Sequence, residues 1–269
     1  MSVIYDVLLG AISGAAQGVF EWIPVSSKTI LLMIFYWAGY PPSTAYLLGL
    51  FLNGSTALAA AIYLRKEVCD VLRGIRFGGM GRRTLLFLVS STAVTGLVGA
   101  PLAWLVAESL ERLDRLSMLL VGVLYLATSI LLWARKGIRP STLGDLKPIR
   151  DGIVAGLAQG FSTLPGVSRS GTTILTLLLL GYHPTAALKL SFLMSIPATI
   201  GGSIYSYMLH GESVSALPQL AILASILTAL LISITTISMI MRASEKLKPH
   251  LFTLILAALT IATALQAST

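Results

Sequence analysis

Charge is what this chain has least of. Its 269 residues include 19 basic and 11 acidic side chains, 11% in all, where a soluble domain carries about 25%. With 55% hydrophobic residues and a mean hydropathy of +0.85, that shortage excludes a disordered chain, a soluble globular enzyme and a coiled coil. It points to a polytopic membrane protein. Cysteine is nearly absent: Cys69 alone excludes a disulfide framework and a cysteine-based metal cluster. No His/Cys/Asp group has metal-ligand spacing. The N-terminus has no basic n-region and its apolar stretch does not end in a small-residue cleavage site, so no cleavable signal is expected. The formal charge of +8 would suggest nucleic acid in a soluble protein. In a membrane protein it is read first as topology, because Lys and Arg collect in cytoplasmic loops, and no nucleic-acid partner is expected.

What is present is long apolar sequence. Residues 44–64, 84–107, 116–134, 185–209, 216–241 and 251–265 are long enough to span. Two further apolar regions are broken. Region 3–38 is interrupted by Glu21, Pro24, Ser26, Ser27 and Lys28. Region 153–181 is interrupted by Pro165, Gly166, Ser168, Arg169, Ser170 and Gly171. The pieces of the second, 153–164 and 172–180, are too short for a hydrocarbon core of about 30 Å at about 1.5 Å per residue. Both regions read as half-helices meeting at a polar hinge, with Pro24, Pro165, Gly166 and Gly171 as hinge residues.

The broken regions are copies of each other. Gly14-Ala15-Ala16-Gln17-Gly18 repeats as Gly156-Leu157-Ala158-Gln159-Gly160 at an offset of 142, which Ser26 keeps to Ser168. Thr44-Ala45 and Phe51-Leu52 repeat as Thr185-Ala186 and Phe192-Leu193 at 141. Ile62-Tyr63 repeats as Ile204-Tyr205 at 142. Internal repeats with interrupted helices characterise transporter-like folds. Loops 65–83, 135–150 and 242–248 carry six, five and three basic residues, against two in 108–115 and none in 210–215. The positive-inside rule puts the three richest on the cytoplasmic face if each broken region enters and leaves on one side. The expected fold is then an all-α inverted repeat of six spanning helices and four half-helices. Its first repeat is 1–134, with re-entrant hairpin 3–38. A cytoplasmic linker covers 135–150. The second repeat is 151–269, with re-entrant hairpin 153–181. Both termini fall outside the cytoplasm. The small residues Gly201-Gly202-Ser203 permit close helix packing, and a homodimer is compatible with them.

Three charges stand where a membrane protein resists them: Glu21, Lys28 and Arg169. Arg169 precedes a half-helix, whose free N–H groups and positive end favour an anion. Its planar guanidinium suits bidentate phosphate recognition. Ser168, Ser170 and Thr173 add hydroxyl donors, and Ser26, Ser27 and Lys28 occupy the matching place before the other half-helix. Together they make a phosphate or diphosphate cradle. Plainer roles stand beside this one. The serines can be N-caps, Arg169 can neutralise Glu21, Lys28 can snorkel, and Gln17 and Gln159 can pair with unwound backbone. His183 and His210 sit near expected membrane ends, and His250 in a basic loop.

Glu21-Trp22-Ile23-Pro24-Val25-Ser26-Ser27 and Pro165-Gly166-Val167-Ser168-Arg169-Ser170-Gly171-Thr172-Thr173 resemble the two signature motifs of the undecaprenyl-diphosphate phosphatase (bacitracin-resistance) family. Ser191-Phe192-Leu193-Met194-Ser195-Ile196-Pro197 also follows the family pattern. The resemblance implies six spanning helices and two re-entrant pairs in a multi-pass protein of the plasma membrane. It implies removal of the terminal phosphate from a polyprenyl diphosphate to recycle the lipid carrier, with dependence on a divalent cation such as Mg or Ca. Carried over, Arg169 holds the diphosphate, and Ser27 is nucleophile or close phosphate ligand, with Ser26 beside it. Glu21 is the second acid of the family's Glu-x-x-x-Glu element. Ser168, Ser170 and Thr173 donate to phosphate oxygens. The chain departs from the pattern at three places: Gln17 stands for the first Glu, Ile30 for a His, and Lys189 for a frequent acid. A general base and one metal-associated carboxylate are missing, which leaves Glu21 as base and Lys28 to replace part of a metal's charge. Besides the phosphatase, two readings follow from the repeats and the missing residues: a translocase that flips a polyprenyl phosphate without hydrolysing it, and an anion-coupled transporter for a water-soluble substrate.

Overall fold

A computed structural model describes residues 3–108, 141–164 and 167–266, with 123, 126 and 130 besides. Among these the chain is helical apart from turns and one parallel bridge between Ser141 and Tyr182. The helices are α1 Val3–Phe20, α2 Ser27–Trp37, α3 Pro42–Leu52, α4 Ser55–Tyr63, α5 Arg65–Phe77 and α6 Gly79–Glu108, then α7 Pro148–Phe161, α8 Arg169–Leu179, α9 Pro184–Ser215, α10 Gln219–Lys246 and α11 Pro249–Gln266. Five stretches are long and apolar enough to cross a membrane: Val3–Phe20, Pro42–Tyr63, Gly79–Leu105, Pro184–Met208 and Gln219–Lys246. The chain is a polytopic, all-helical membrane protein.

The expected spans 44–64, 84–107, 185–209 and 216–241 fall on α3–α4, α6, α9 and α10, and 251–265 on α11. Span 116–134 and the hinge residues Pro165 and Gly166 lie outside the described residues, three isolated positions apart. Three expected loops are helix instead. Residues 65–77 form α5, whose charged side chains alternate with a narrow apolar stripe that buries Val71 and Gly74. Its charge, not its periodicity, made it read as a loop. Residues 210–215 continue α9, and Arg242 and Lys246 lie within α10. The first piece of region 3–38 is helical up to the break at Glu21 and is long enough to count among the candidate spans. α1 has 18 residues, about 27 Å at 1.5 Å per residue. α2, α7 and α8 have 11, 14 and 11.

Small residues decide which helices touch. α1 lies along α10, and α7 along α6. Gly10, Gly14 and Gly18 present one face of α1 to Ala221, Ser225 and Ala229. Gly152, Gly156 and Gly160 present the same face of α7 to Phe87, Ser91 and Val98. The three glycines of α7 each follow their α1 counterpart by the 142-residue offset. A Cβ on Gly14 would stand 2.3 Å from the Ser225 carbonyl oxygen, and one on Gly156 2.6 Å from that of Ser91. Backbones this close exchange dispersion contacts that lipid tails cannot match.

The span formed by α3 and α4 breaks at Asn53-Gly54. Ser203 on α9 patches the break: its Oγ accepts from Gly54 N at 2.9 Å and donates to the Phe51 carbonyl at 2.5 Å. α9 carries its own interruption, Pro197, which has no N–H for the carbonyl four residues back. Both interruptions lie beside the polar tips described next.

Candidate active site

The two tips are built alike. After α1 the chain turns through residues 21–25, where Pro24 forbids further helix. Ser26 is the N-cap of α2, its Oγ accepting from Thr29 N at 3.4 Å. Ser168 is the N-cap of α8, its Oγ accepting from Gly171 N at 3.1 Å. Each cap satisfies an N–H that a helix start leaves unpaired. The tips then lock together. Ser170 Oγ donates to the Ile23 carbonyl at 2.7 Å and Ser168 Oγ to the same atom at 3.3 Å. Thr260 Oγ1 on α11 donates to the Pro24 carbonyl at 3.2 Å.

Glu21, Lys28 and Arg169 come together where the tips meet, all three buried. Arg169 Nη2 lies 2.7 Å from Glu21 Oε1. Its Nη1 donates to the Ser191 carbonyl at 3.3 Å. The guanidinium sits over the Trp22 ring, 5.6 Å from the centroid, and Phe192 meets that ring edge-on at 5.0 Å. Cation–π contact and a charge partner together hold the guanidinium in place. The other carboxylate oxygen, Glu21 Oε2, accepts from Ser27 Oγ at 2.7 Å and from Gln17 Nε2 at 2.8 Å. Gln17 Nε2 also donates to Asn53 Oδ1 at 2.8 Å. Lys28 Nζ donates to the Ser162 carbonyl at the end of α7.

A cavity of about 240 Å³ opens beside this cluster. Glu21, Lys28, Asn53 and Arg169 form its polar wall; Gly99 of α6 and Pro197, Gly202 and Tyr205 of α9 face them. A much smaller space next to it, about 10 Å³, is lined by Ser26, Ser27 and Ser168 together with the three charged residues. Thr92, Thr95, Gln159, Thr163 and Thr199 also line the cavity, but its charges are confined to the Glu21, Lys28 and Arg169 cluster, which suits a ligand with one charged head.

The residues expected at the site are thus sorted by position. Glu21, Lys28 and Arg169 face the cavity, and Ser27 reaches Glu21. Ser26 and Ser168 are N-caps at its edge. Ser170 is spent on the Ile23 carbonyl. Thr173 is behind Arg169, its Oγ1 2.6 Å from Ser191 Oγ and 2.9 Å from the Arg169 carbonyl. Gly171 sits against the other tip, where a Cβ would come 3.4 Å from Pro24 Cβ. Two of the plainer roles are also present: the serine caps, and the Glu21–Arg169 pair. Lys28 is turned inward rather than snorkelling. Asn53 and the Ser191 carbonyl were not foreseen. Asn53 was visible as the one asparagine of the chain, inside an apolar segment; a backbone carbonyl leaves no signal. Of the departures from the family pattern, Gln17 is at the site. Ile30 packs against Val25 in a small apolar cluster. Lys189 is outside the site, paired with Glu67 of α5 at 2.7 Å. Below the site His183 caps α9, its Nδ1 accepting from Thr185 N at 3.3 Å, and burial holds its imidazole below the ordinary pKa.

The donor set does not fit a divalent cation. Mg²⁺ and Ca²⁺ are held by oxygen ligands with carboxylates among them. The cavity wall has one carboxylate, Glu21, and two cations, Lys28 and Arg169. Both oxygens of Glu21 already accept from donors. Among the described residues no three His, Cys, Asp or Glu side chains converge.

The chain is similar to known proteins over nearly its whole length. The family model described as bacitracin resistance protein BacA matches residues 10–262. A protein of Saccharolobus solfataricus named undecaprenyl-diphosphatase is 39% identical over 265 residues, covering 95% of this chain and 94% of that one. Proteins of the same name from Pyrobaculum aerophilum and Methanothrix thermoacetophila are each 34% identical. The first alignment covers 96% of this chain and 97% of the relative, the second 96% of each.

Proposed function

Because the chain belongs to the bacitracin resistance protein BacA family, we propose that it is an integral-membrane undecaprenyl-diphosphatase. It is a hydrolase that removes the terminal phosphate of a polyprenyl diphosphate and leaves the lipid monophosphate. The observation that carries this reading is the hydrogen bond from Ser27 Oγ to Glu21 Oε2 at 2.7 Å, beside a buried Arg169, with Glu21 lining the larger cavity and Ser27 the small space next to it. A hydroxyl that donates to a carboxylate is a nucleophile with its base in place.

In the reaction we propose, the diphosphate enters the cavity and its oxygens compete with Glu21 for the Arg169 guanidinium. Glu21 is left holding the Ser27 hydroxyl and the Gln17 amide. Ser27 Oγ attacks the terminal phosphorus and its proton passes to Glu21. The bond from that phosphorus to the bridging oxygen breaks, and the electron pair leaves with the lipid monophosphate. Glu21 gives up its proton to solvent and takes one from a water that attacks the phosphoserine. The P–Oγ bond breaks, Ser27 recovers a proton from Glu21, and inorganic phosphate departs. One water is consumed and the side chains return to their starting state. Arg169 and Lys28 stabilise the charge that builds on the phosphoryl oxygens.

The finer architecture belongs to the same proposal. Residues 1–134 and 151–269 are inverted repeats, each with a re-entrant hairpin, joined by a cytoplasmic linker at 135–150. The matched pairing of α1 with α10 and α7 with α6 supports this, as do the paired serine caps 142 residues apart. The basic segments 65–83, 135–150 and 242–248 face the cytoplasm and both termini face away.

Phosphate release from undecaprenyl diphosphate by the purified protein tests the function. Release that Arg169→Ala and Ser27→Ala abolish supports it. No release, with movement of polyprenyl phosphate across liposomes that Arg169→Ala stops, overturns it in favour of a translocase. The relatives named above share the phosphatase name, and none is named a translocase.

A further inference from the structure

Lys28 is a buried cationic side chain that forms no salt bridge among the described residues, its nearest opposite charge being the Glu21 carboxylate already held by Arg169. It makes one hydrogen bond, to the Ser162 carbonyl, and it lines the cavity. An ammonium has three donors, and a charge inside a membrane is costly unless its donors and charge are met. Arg169 is in a related position: its Nε is buried without a partner among the described residues, although its two terminal nitrogens are engaged. The wall therefore carries two positive charges and one negative, an excess suited to an anion.

Gln17 completes the argument. Its Nε2 lies between two acceptors, Glu21 Oε2 and Asn53 Oδ1, each at 2.8 Å. The reverse amide orientation would set an oxygen against both, so Gln17 acts here as a donor. A carboxylate at this position would be a second negative charge beside Glu21, the arrangement that attracts a divalent cation. The amide removes that charge and, with Ser27, donates to Glu21 Oε2.

We propose that this chain cleaves its diphosphate without a divalent cation, the Lys28 ammonium and the Arg169 guanidinium together meeting the charge of the diphosphate oxygens. The inference rests on the phosphatase reading and deepens it. Ammonium and guanidinium groups can both neutralise phosphoryl oxygens, and Gln17 is the residue that makes a metal unnecessary.

The test uses the full-length protein in detergent, stripped with EDTA. Phosphate release from undecaprenyl diphosphate stays within about twofold of the untreated enzyme. Lys28→Met loses about a hundredfold, the scale of a missing oxyanion donor, and added Mg²⁺ does not restore it. Lys28→Arg keeps more activity than Lys28→Met. Electron paramagnetic resonance finds no stoichiometric Mn²⁺ on the natural sequence and finds it on Gln17→Glu. Loss of release in EDTA with recovery in Mg²⁺, or one bound Mn²⁺ on the natural sequence, overturns the inference. If no phosphate is released with or without metal, the phosphatase reading itself has failed. Binding of inorganic diphosphate then judges the charge argument alone: metal-free binding lost in Lys28→Met sustains it, and binding that requires Mg²⁺ overturns it.

Discussion

Arg169 Nη2 and Glu21 Oε1, 2.7 Å apart, join two residues 148 positions apart in the chain. The pair couples the first broken region to the second inside an apolar body. Removing one partner leaves a buried charge alone, which destabilises by about 3–5 kcal/mol. Glu21→Gln and Arg169→Met should each lower the melting temperature of the purified protein, and the double variant should lie above the lower of the two. Phosphate release should be lost in all three. A double variant less stable than both singles would mean that the pair is not what these residues contribute.

Two adjacent serines separate chemistry from capping. Ser27 Oγ donates to Glu21, whereas Ser26 Oγ receives the Thr29 N–H and the Thr29 hydroxyl. Ser27→Ala should reduce kcat by about 10³-fold or more, since nucleophile and base act as a unit. Ser26→Ala should cost about 1 kcal/mol of stability, the usual value of a lost N-cap, with kcat far less affected. Steady-state kinetics on both variants, beside thermal melts, decides it. Equal losses of kcat would remove the distinction.

The helix pairings can be broken at single atoms. Gly14 and Gly156 occupy matching places, and their Cβ atoms would meet carbonyl oxygens at 2.3 and 2.6 Å. Those oxygens belong to helix backbone and cannot yield as a flexible side chain would. Gly14→Ala and Gly156→Ala should each destabilise by about 1–3 kcal/mol, as overpacking does. Gly201→Ala should be tolerated, because none of the described residues lies within 4 Å of its Cβ position. Thermal unfolding of the three variants in one detergent checks the order.

The sequence made the tips legible because polarity inside apolar sequence has few innocent causes. Glu21, Lys28 and Arg169 needed a common reason, and the 142-residue offset supplied a geometry. The same offset carried Gly10, Gly14 and Gly18 onto Gly152, Gly156 and Gly160, but spacing alone names no partner, and α10 and α6 had to be seen. Ser170 and Thr173 looked like phosphate ligands because a hydroxyl at the start of a helix can serve an anion or a carbonyl. The freed Ile23 carbonyl took one, and Ser191 with the Arg169 carbonyl took the other. Lys189 looked like a lost acid of the site until its ion pair with Glu67 of α5 placed it outside the site. α5 itself was hidden by composition: charge on a surface helix reads as loop to a hydropathy criterion.

His183 sets a pH dependence outside the site. It caps α9 as a neutral acceptor for the Thr185 N–H, and burial lowers its pKa in the fold. The unfolded chain then binds the proton more readily than the folded one, so stability rises with pH across that interval. Its contribution is full above the ordinary imidazole value of about 6.5. It is lost as the pH falls from there through the folded pKa, where the protonated ring can no longer accept. The melting temperature should therefore drop between pH 7.5 and pH 5, over about those limits. His183→Asn keeps an N-cap acceptor that does not titrate, so its melting temperature should fall less over the same interval. A variant whose melting temperature follows that of the natural sequence at every pH would place the titration elsewhere.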